Sequence, residues 1–302
     1  MLAGGRLVGA ALVTAAFAVS ALGAASSRAA ADPTCMGEQA TMVGTDGNDS
    51  LNGSEGEDVI VALGGDDLVR GMGGDDLICG GDGNDMIQGS NGGPYLDLIS
   101  GDAGDDIIDG GSPLGGIVVY SDAPGPVSVD LLGAGVGAIG WGNDRLVRIH
   151  GVLGSQFGDT IKGTAAPDVI ASLGGDDIVA TRGGSDVVLA DPGNDSLDGG
   201  ASSGDTIEFL SAPRGVRVNL ASGKASGIGA DRLTGFEHVY GTKYVDVLIG
   251  NANANLLLGG LGNDRLLGGP GRDVLLGQQG RDFADGGTGR DACSAERKRN
   301  CP

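Results

Sequence analysis

The strongest constraint on the fold is a nine-residue period that starts at Gly44. Five consecutive units read GTDGNDSLN, GSEGEDVIV, ALGGDDLVR, GMGGDDLIC and GGDGNDMIQ, with Asp at position 6 and an aliphatic residue at position 8. Such a period fits neither a continuous helix of about 3.6 residues per turn nor a continuous strand of period two. We therefore predict that each unit is a tight turn followed by a short strand, and that two units complete one coil.

The residue types suit these positions. Glycine at positions 1, 2 and 4 permits the positive φ that a tight turn requires. The aliphatic residue at position 8 would point inward from a short strand, into a thin core shared by two sheets. Turns of alternate units then stack on opposite edges, so that Asp49, Asp67 and Asp85 line one edge while Asp58 and Asp76 line the other.

The pattern G-G-x-G-x-D-x-U-x, where U is a large aliphatic residue, resembles the calcium-binding repeat of the haemolysin-type (RTX) family. This resemblance implies an all-β, right-handed parallel β-roll with Ca²⁺ bound between stacked turns. Stacked carboxylates would repel one another at the strand spacing of about 4.8 Å. Calcium accepts about six to eight oxygen ligands, which carboxylates and carbonyls of adjacent turns can supply together.

The position-6 aspartates are the candidate calcium ligands, and they fall into three blocks. Phe157 and Ala166 replace position-4 glycines, which makes Asp159 and Asp168 weaker candidates as calcium ligands. Lys243 and Tyr244 disturb the turn before Asp246. Asn255 stands where an Asp is expected, so we expect this unit and that of Asp246 to stack without metal. The predicted ligands are Asp49, Asp58, Asp67, Asp76, Asp85, Asp97, Asp106, Asp168, Asp177, Asp186, Asp195, Asp264, Asp273, Asp282 and Asp291.

The repeat blocks and the segments between them define the predicted organisation. The spacers share Ala-Pro, alternating Val and Leu, and Asp-Arg-Leu; we interpret them as irregular coils that continue the roll, with small β inserts as the alternative. A unit with three extra residues around Pro94 predicts a bulged turn. The segments are a signal peptide (1–31), a lead-in (32–43), the first block (44–109), a spacer (110–153), the second block (154–207), a spacer (208–240), the third block (241–294) and a C-terminal cap (295–302).

The N-terminal segment predicts secretion. It has no acidic residue, an apolar stretch from Leu7 to Ala25 and an A-x-A spacing at Ala29 and Ala31, which is typical of a cleaved signal peptide. An uncleaved membrane anchor is the alternative. The chain therefore resembles the subgroup of Sec-exported bacterial calcium-binding repeat proteins, and no membrane association is expected after cleavage.

Composition limits the partners and the covalent links. A net charge of −21 and only 3% aromatic residues oppose nucleic-acid binding. The expected partners are calcium ions, and we expect a monomer. Four cysteines in a secreted chain predict disulfides; Cys293 with Cys301 and Cys35 with Cys79 would close the two ends, although three pairings and free thiols remain open.

No residue pattern predicts catalysis. The G-x-S-x-G match at 200–204, with Asp231 and His238 following Ser202, lacks the strand, elbow and helix that a hydrolase needs. The favoured function is a secreted calcium-binding repeat protein in which Ca²⁺ drives folding and rigidity. An extracellular adhesin or surface scaffold is the first alternative, and a secreted hydrolase is the second.

Overall fold

The structure is a computed structural model that describes residues 33–90, 96–111, 115–132 and 137–301. Every strand or helix assigned within these ranges is a β-strand, which confirms the predicted all-β class. None of the described residues forms a helix long and apolar enough to cross a membrane. The predicted signal peptide and the insertion around Pro94 lie outside the described residues.

The chain divides into two compact units, Met1–Gly163 and Thr164–Pro302. The strands of the first unit are β1 (Thr34–Cys35), β2 (Glu38–Gln39), β3 (Met42–Val43), β4 (Ser50–Asn52), β5 (Val59–Val61), β6 (Leu68–Met72), β7 (Leu77–Asp82), β8 (Met86–Ser90), β9 (Leu98–Ala103), β10 (Ile107–Asp109), β11 (Gly116–Val119), β12 (Ser128–Asp130), β13 (Ala138–Ile139), β14 (Asn143–Val147), β15 (Ile149–Leu153) and β16 (Thr160–Lys162).

Alternate strands of the first unit belong to different parallel sheets. One sheet contains β3, β5, β7, β9, β11 and β15. The other contains β4, β6, β8, β10 and β14. In regular coils the paired residues are two nine-residue units apart, as Val59 with Leu77 shows. The nine-residue period therefore becomes a parallel β-roll in which two units complete each coil.

The second unit follows the same plan. Its strands are β17 (Val169–Ala171), β18 (Ile178–Ala180), β19 (Val187–Leu189), β20 (Ser196–Asp198), β21 (Thr206–Glu208), β22 (Arg217–Asn219), β23 (Lys224–Ser226), β24 (Ala230–Thr234), β25 (His238–Tyr240), β26 (Val247–Ile249), β27 (Leu256–Leu261), β28 (Arg265–Gly271), β29 (Val274–Gln279), β30 (Phe283–Gly289), β31 (Ala292–Ser294) and β32 (Arg297–Arg299).

Parallel pairing again separates alternate strands of this unit. One sheet contains β17, β19, β21, β25, β27, β29 and β31. On the opposite side β18, β20 and β24 pair in parallel, as do β22, β26, β28, β30 and β32.

The core of each roll is built from the position-8 aliphatic residues. In the first unit Ile60, Ile78 and Ile99 come from one sheet, and Val69 and Ile87 come from the other; all five are at most 1% exposed. Because successive strands alternate between sheets, one inward residue per unit is enough to fill a thin core. The same position supplies Ile170, Val188, Leu197, Leu257, Leu266 and Leu275 in the second unit.

The spacers combine both of the arrangements considered from sequence. In the first unit, β14 continues the parallel stack on β10, with Ile107 opposite Arg145. Between them the chain adds β13, which is antiparallel to β12 and β14. In the second unit, β24 stacks on β20, with Ser196 opposite Arg232, and β23 is antiparallel to β22 and β24. Each spacer therefore continues the roll and inserts one antiparallel strand.

Disulfides close the two chain ends, as the sequence predicted. Cys35 in β1 is bonded to Cys79 in β7, with their Cα atoms 5.7 Å apart. Cys293 in β31 is bonded to Cys301, with a Cα–Cα distance of 5.8 Å. The first bond ties the antiparallel hairpin of β1 and β2 to the roll, and the second ties the C-terminal segment to β31.

Candidate metal centre

Most position-6 carboxylates are bonded to the coil that precedes them. Oδ1 of Asp67 accepts the backbone N–H of Asp49 at 2.7 Å, and Oδ1 of Asp85 accepts the N–H of Asp67 at 2.8 Å. Oδ1 of Asp106 accepts the N–H of Asp85 at 2.9 Å, which continues the same edge. These bonds align the carboxylates in a column, with the spacing of the coils.

The other columns repeat this link. Asp58, Asp76 and Asp97 form the second edge of the first block, with two N–H to Oδ1 bonds of 3.0 Å. In the second unit the donor and acceptor pairs are Asp168 with Asp186, Asp177 with Asp195, Asp246 with Asp264, Asn255 with Asp273, Asp264 with Asp282 and Asp273 with Asp291.

The second carboxylate oxygen distinguishes two kinds of turn. In many of the aspartates Oδ2 is buried and accepts no hydrogen bond, and we call their turns open turns. A buried carboxylate oxygen without a donor is strongly unfavourable unless a proton or a cation compensates it. The aspartates with such an Oδ2 include Asp67, Asp76, Asp85, Asp106, Asp186, Asp205, Asp231, Asp264, Asp273, Asp282 and Asp291.

In a second group of turns a Ser or Thr at position 2 satisfies the carboxylate, and we call these capped turns. The N–H of Thr45 donates to Oδ2 of Asp49 at 2.6 Å, and its hydroxyl donates to the same oxygen at 2.9 Å. The capped pairs are Thr45 with Asp49, Ser54 with Asp58, Ser90 with Asp97, Ser155 with Asp159, Thr164 with Asp168 and Thr242 with Asp246.

The backbone at position 2 is the local cause of the difference. In open turns this residue has positive φ, including 78° at Leu63 and 79° at Met72, where glycine would be expected. Residues with positive φ also occupy position 2 before Asp177, Asp186 and Asp282. In capped turns the hydroxyl of position 2 instead accepts an N–H two residues later, as Thr164 does from Ala166 at 3.0 Å.

Capped turns begin the repeat blocks. Asp49 and Asp58 are the first two position-6 residues of the first block, and Asp159 and Asp168 hold these places in the second. Asp246 begins the third block. In each of these turns Ser or Thr supplies donors from within the turn itself, and Oδ1 of Asp159 and Asp246 also accepts an N–H from the preceding spacer. Asp97 is the exception, since its capped turn belongs to the unit that contains Pro94.

The unit of Asn255 uses amide groups in place of a carboxylate. Nδ2 of Asn255 donates to the carbonyl oxygen of Glu237 at 3.0 Å, and Nδ2 of Asn251 donates to that of Phe236 at 3.1 Å. Nδ2 of Asn253 donates to Oε1 of Glu237 at 3.3 Å. These donors link the unit to the preceding turn, and its stacking without metal stays a prediction.

Burial changes the acidity of the open-turn carboxyls. Desolvation, followed in size by opposing hydrogen bonds and then by neighbouring acids, raises the pKa of Asp76 to about 7 and that of Asp106 to about 8. Desolvation likewise raises the pKa of Asp186 and of Asp264 to about 7. Near neutral pH these carboxyls are therefore partly protonated unless a cation replaces the proton.

Two open-turn residues were missed from the sequence. Asp205 follows a turn with one extra residue, and its Oδ1 accepts the N–H of Asp186 at 2.9 Å. Asp231 lies in the second spacer, where its Oδ1 accepts the N–H of Asp195 at 3.3 Å. The Asp-Arg-Leu motif shared by the spacers was the available signal. Its other copy, Asp144, differs because Oδ2 accepts the hydroxyl of Tyr120 at 2.8 Å.

The hydrolase-like residues are not joined as a triad. Oγ of Ser202 accepts the N–H of Gly184 at 3.1 Å, and Asp231 lies in β24. His238 lies in β25, on the other sheet, with a buried Nδ1 that has no hydrogen-bond partner. Within the described part of the chain, no hydrogen bond links these three side chains to one another.

Comparison with known proteins supports the repeat assignment. A family model described as "RTX calcium-binding nonapeptide repeat (4 copies)" matches residues 41–69, 52–87, 80–112, 153–188, 181–203, 231–266, 240–275 and 258–293. Together these overlapping matches cover more than half of the sequence, and they include most of both kinds of turn. A search of curated proteins found no match.

Proposed function

Because the chain belongs to the RTX calcium-binding nonapeptide repeat family, we propose that it is a secreted protein whose rolls fold and stiffen around bound calcium. Repeats of this family bind calcium ions in multiple sites. The observation that carries the proposal is the column of buried Oδ2 atoms without donors in the open turns. A divalent cation would remove that electrostatic cost, and oxygen ligands are the kind that calcium prefers.

The open turns supply the ligands in this proposal. Oδ2 of residues such as Asp76, Asp85 and Asp264 would bind the ion, while Oδ1 stays bonded to the previous coil. When bound, calcium supplies the positive charge that lets stacked carboxylates stay ionised. The chain supplies fixed oxygen positions, since each Oδ1 bond restricts rotation of its carboxylate.

We assign a different role to the aspartates of the capped turns. Asp49, Asp58, Asp97 and Asp168 were predicted as ligands, and Oδ2 of each accepts the N–H of position 2. Such a carboxylate already has part of its charge compensated by the backbone. We propose that these turns need no calcium, that those of Asp49, Asp58 and Asp168 start their columns, and that the later open turns add metal.

Export would couple folding to calcium supply. Extracellular calcium modules typically bind with dissociation constants of about 10⁻⁴ to 10⁻³ M, so the chain would fold after leaving a calcium-poor cytoplasm. The signal-peptide prediction for residues 1–31 provides the export route. Proteins with these repeats are typically secreted, and the family is generally non-catalytic, so we assign no reaction to the chain.

Calcium titration of the chelated protein tests the proposal. We expect circular dichroism to show little β-structure without calcium and a cooperative gain as calcium is added, with several ions bound per chain by calorimetry. Magnesium at the same concentration is the control, because its demand for near-ideal octahedral geometry suits these turns poorly. A β-spectrum unchanged by chelation, with no calcium heat, would contradict the proposed function.

A further inference from the structure

Asp191 is a buried carboxylate of the turn edges that does not come from position 6. The unit ADPGNDSLD carries Asp191 at position 2, where the other units have glycine, Ser, Thr, Asn251 or a residue with positive φ. Asp195 occupies position 6 of the same unit, and Asp177 occupies position 6 one coil earlier. The repeat pattern assigns no metal role to position 2, so Asp191 is not expected from the motif.

The side chain of Asp191 reaches across to the preceding coil. Its Oδ2 accepts the N–H of Leu173 at 2.7 Å and the hydroxyl of Ser172 at 3.3 Å. Both donors belong to the turn that ends at Asp177. The carboxylate of Asp191 is thereby held between two stacked turns, and its orientation is set by the earlier one.

The carboxylate of Asp191 belongs to a buried acidic cluster. Asp191 is only 8% exposed, and its Oδ1 has no hydrogen-bond partner. Carboxylate oxygens of Asp177, Asp191 and Asp195 all lie within 4.8 Å of one another. Asp177 and Asp195 are themselves 1% and 2% exposed, so the three groups converge where water has little access.

Three buried carboxylates at this separation need compensation. Burial, followed by the charges of Asp177 and Asp195, raises the pKa of Asp191 well above its usual value. A proton on Asp191 would relieve the repulsion in part, but a divalent cation would relieve it for all three groups and would give Oδ1 of Asp191 a partner.

We propose that Asp177, Asp191 and Asp195 together bind one calcium ion, with Asp191 as a third carboxylate ligand outside the repeat motif. This inference rests on the proposed calcium-binding function and deepens it. Calcium affinity in proteins rises with the number of charged ligands. The site therefore fills at a lower calcium concentration than open turns in which all the carboxylates come from position 6. Because it fills first, the second block becomes ordered before the other blocks.

Substitution of Asp191 tests this assignment. Asp191→Asn keeps the shape and an oxygen that can accept the Leu173 N–H, but it removes the negative charge. The matched control is Asp176→Asn, which removes one charge at an exposed position of the neighbouring turn that ends at Asp177, and which keeps an oxygen that can accept the N–H of Asn194. Hydrogen exchange in residues 172–177 and 190–195 of the full chain would be followed against free calcium.

We expect Asp191→Asn to raise the calcium concentration needed for protection of these residues by about tenfold or more, and Asp176→Asn to leave it nearly unchanged. Asp191→Gly, which restores the motif residue, should shift the midpoint in the same direction. Equal midpoints for the wild type and Asp191→Asn, with calcium still ordering both proteins, would overturn this inference and leave the proposed function intact. Absence of any calcium effect on the wild type would overturn both.

Discussion

The carboxylate of Asp67 accepts the backbone N–H of Asp49, one coil earlier, with 2.7 Å between N and Oδ1. This bond uses one carboxylate oxygen to fix coil spacing and leaves the other available for a second interaction. Oδ2 of Asp67 is buried and unpartnered, whereas Oδ2 of Asp49 accepts the N–H of Thr45. The same residue type therefore has two roles, decided by the residue at position 2 of its turn.

The pH of the solution should control how much β-structure the calcium-free protein keeps. The pKa of Asp76 is raised from 3.8 to about 7 and that of Asp106 to about 8, because burial disfavours their charged forms. A carboxyl whose pKa is raised on folding stabilises the folded state fully at pH values below its unfolded-state pKa. This contribution to the free energy of unfolding is lost as the pH rises through the folded-state pKa. We expect chelated protein to lose β-structure between about pH 4 and pH 8, measured by circular dichroism.

Calcium should reverse this dependence. Binding requires deprotonated carboxylates, so apparent calcium affinity should increase over the same pH range. Calorimetric titration of the same protein at pH 5.5 and at pH 8 measures this change in calcium affinity. Chelated protein that is more ordered at pH 8 than at pH 5 would show that the buried carboxyls do not titrate as described.

Removal of a capping hydroxyl should weaken the start of a column. Oγ1 of Thr164 donates to Oδ1 of Asp168 at 3.0 Å and accepts the N–H of Ala166 at 3.0 Å. Thr164→Val keeps the shape but loses both bonds, and we expect a loss of about 1 to 2 kcal/mol in the free energy of unfolding. Denaturant unfolding at saturating calcium measures this change.

The control for the cap is Thr288→Val, which alters an exposed Thr of β30. We expect this variant to unfold within about 0.5 kcal/mol of the wild type. Calcium stoichiometry should be the same in both variants, since the capped turn of Asp168 is assigned no calcium through its Oδ2. A bound ion lost with Thr164→Val would argue against that assignment.

The two disulfides should differ in their contribution to stability. Cys35 and Cys79 are separated by 44 residues and Cys293 and Cys301 by 8. Chain-entropy arguments give about 4 kcal/mol for the longer loop and about 2.5 kcal/mol for the shorter one. Paired Cys→Ala variants, unfolded in denaturant with calcium present, measure each loss. A greater loss from the C-terminal pair would contradict the loop-length argument.

The net charge of each block should make folding of the first block depend on calcium more strongly than folding of the third block. Residues 32–109 contain 18 acidic residues and a single basic residue, Arg70, whereas residues 241–302 contain 7 acidic and 8 basic residues. Arg272, Arg281 and Arg290 immediately precede position-6 aspartates, where the first block has acids such as Asp66. Each exposed pair of an Arg and an acidic residue contributes only about 0 to 1 kcal/mol, but several such pairs recur at the same place in successive units.

Hydrogen exchange during a calcium titration measures this difference. We expect residues 241–294 to keep protection at calcium concentrations where residues 44–109 have lost it. Arg281→Glu should move the third block toward the behaviour of the first, because it replaces an opposite charge by a like charge. Simultaneous loss of protection in both blocks of the wild type would show that the net charge of a block does not set its calcium dependence.

Much of the fold was predictable because the repeat is local in sequence. The position of Ile78 within its unit predicted an inward side chain, and Ile78 is fully buried. The nine-residue period predicted alternate stacking, and Asp49, Asp67 and Asp85 do form one column. The short distance in sequence between Cys293 and Cys301 favoured their pairing, which the structure contains.

By itself, the sequence determined the coil length, the inward and edge positions of each unit, and the family to which the repeats belong. Tertiary structure decided which carboxylate oxygens remain without donors, because that depends on the φ of a position-2 residue such as Leu63 and on the coil stacked beside it. It also placed Asp191 against Leu173 and Asp177, one coil away. Neighbours in a roll are two units apart along the chain, so the environment of an acid is set by stacking and not by its own motif.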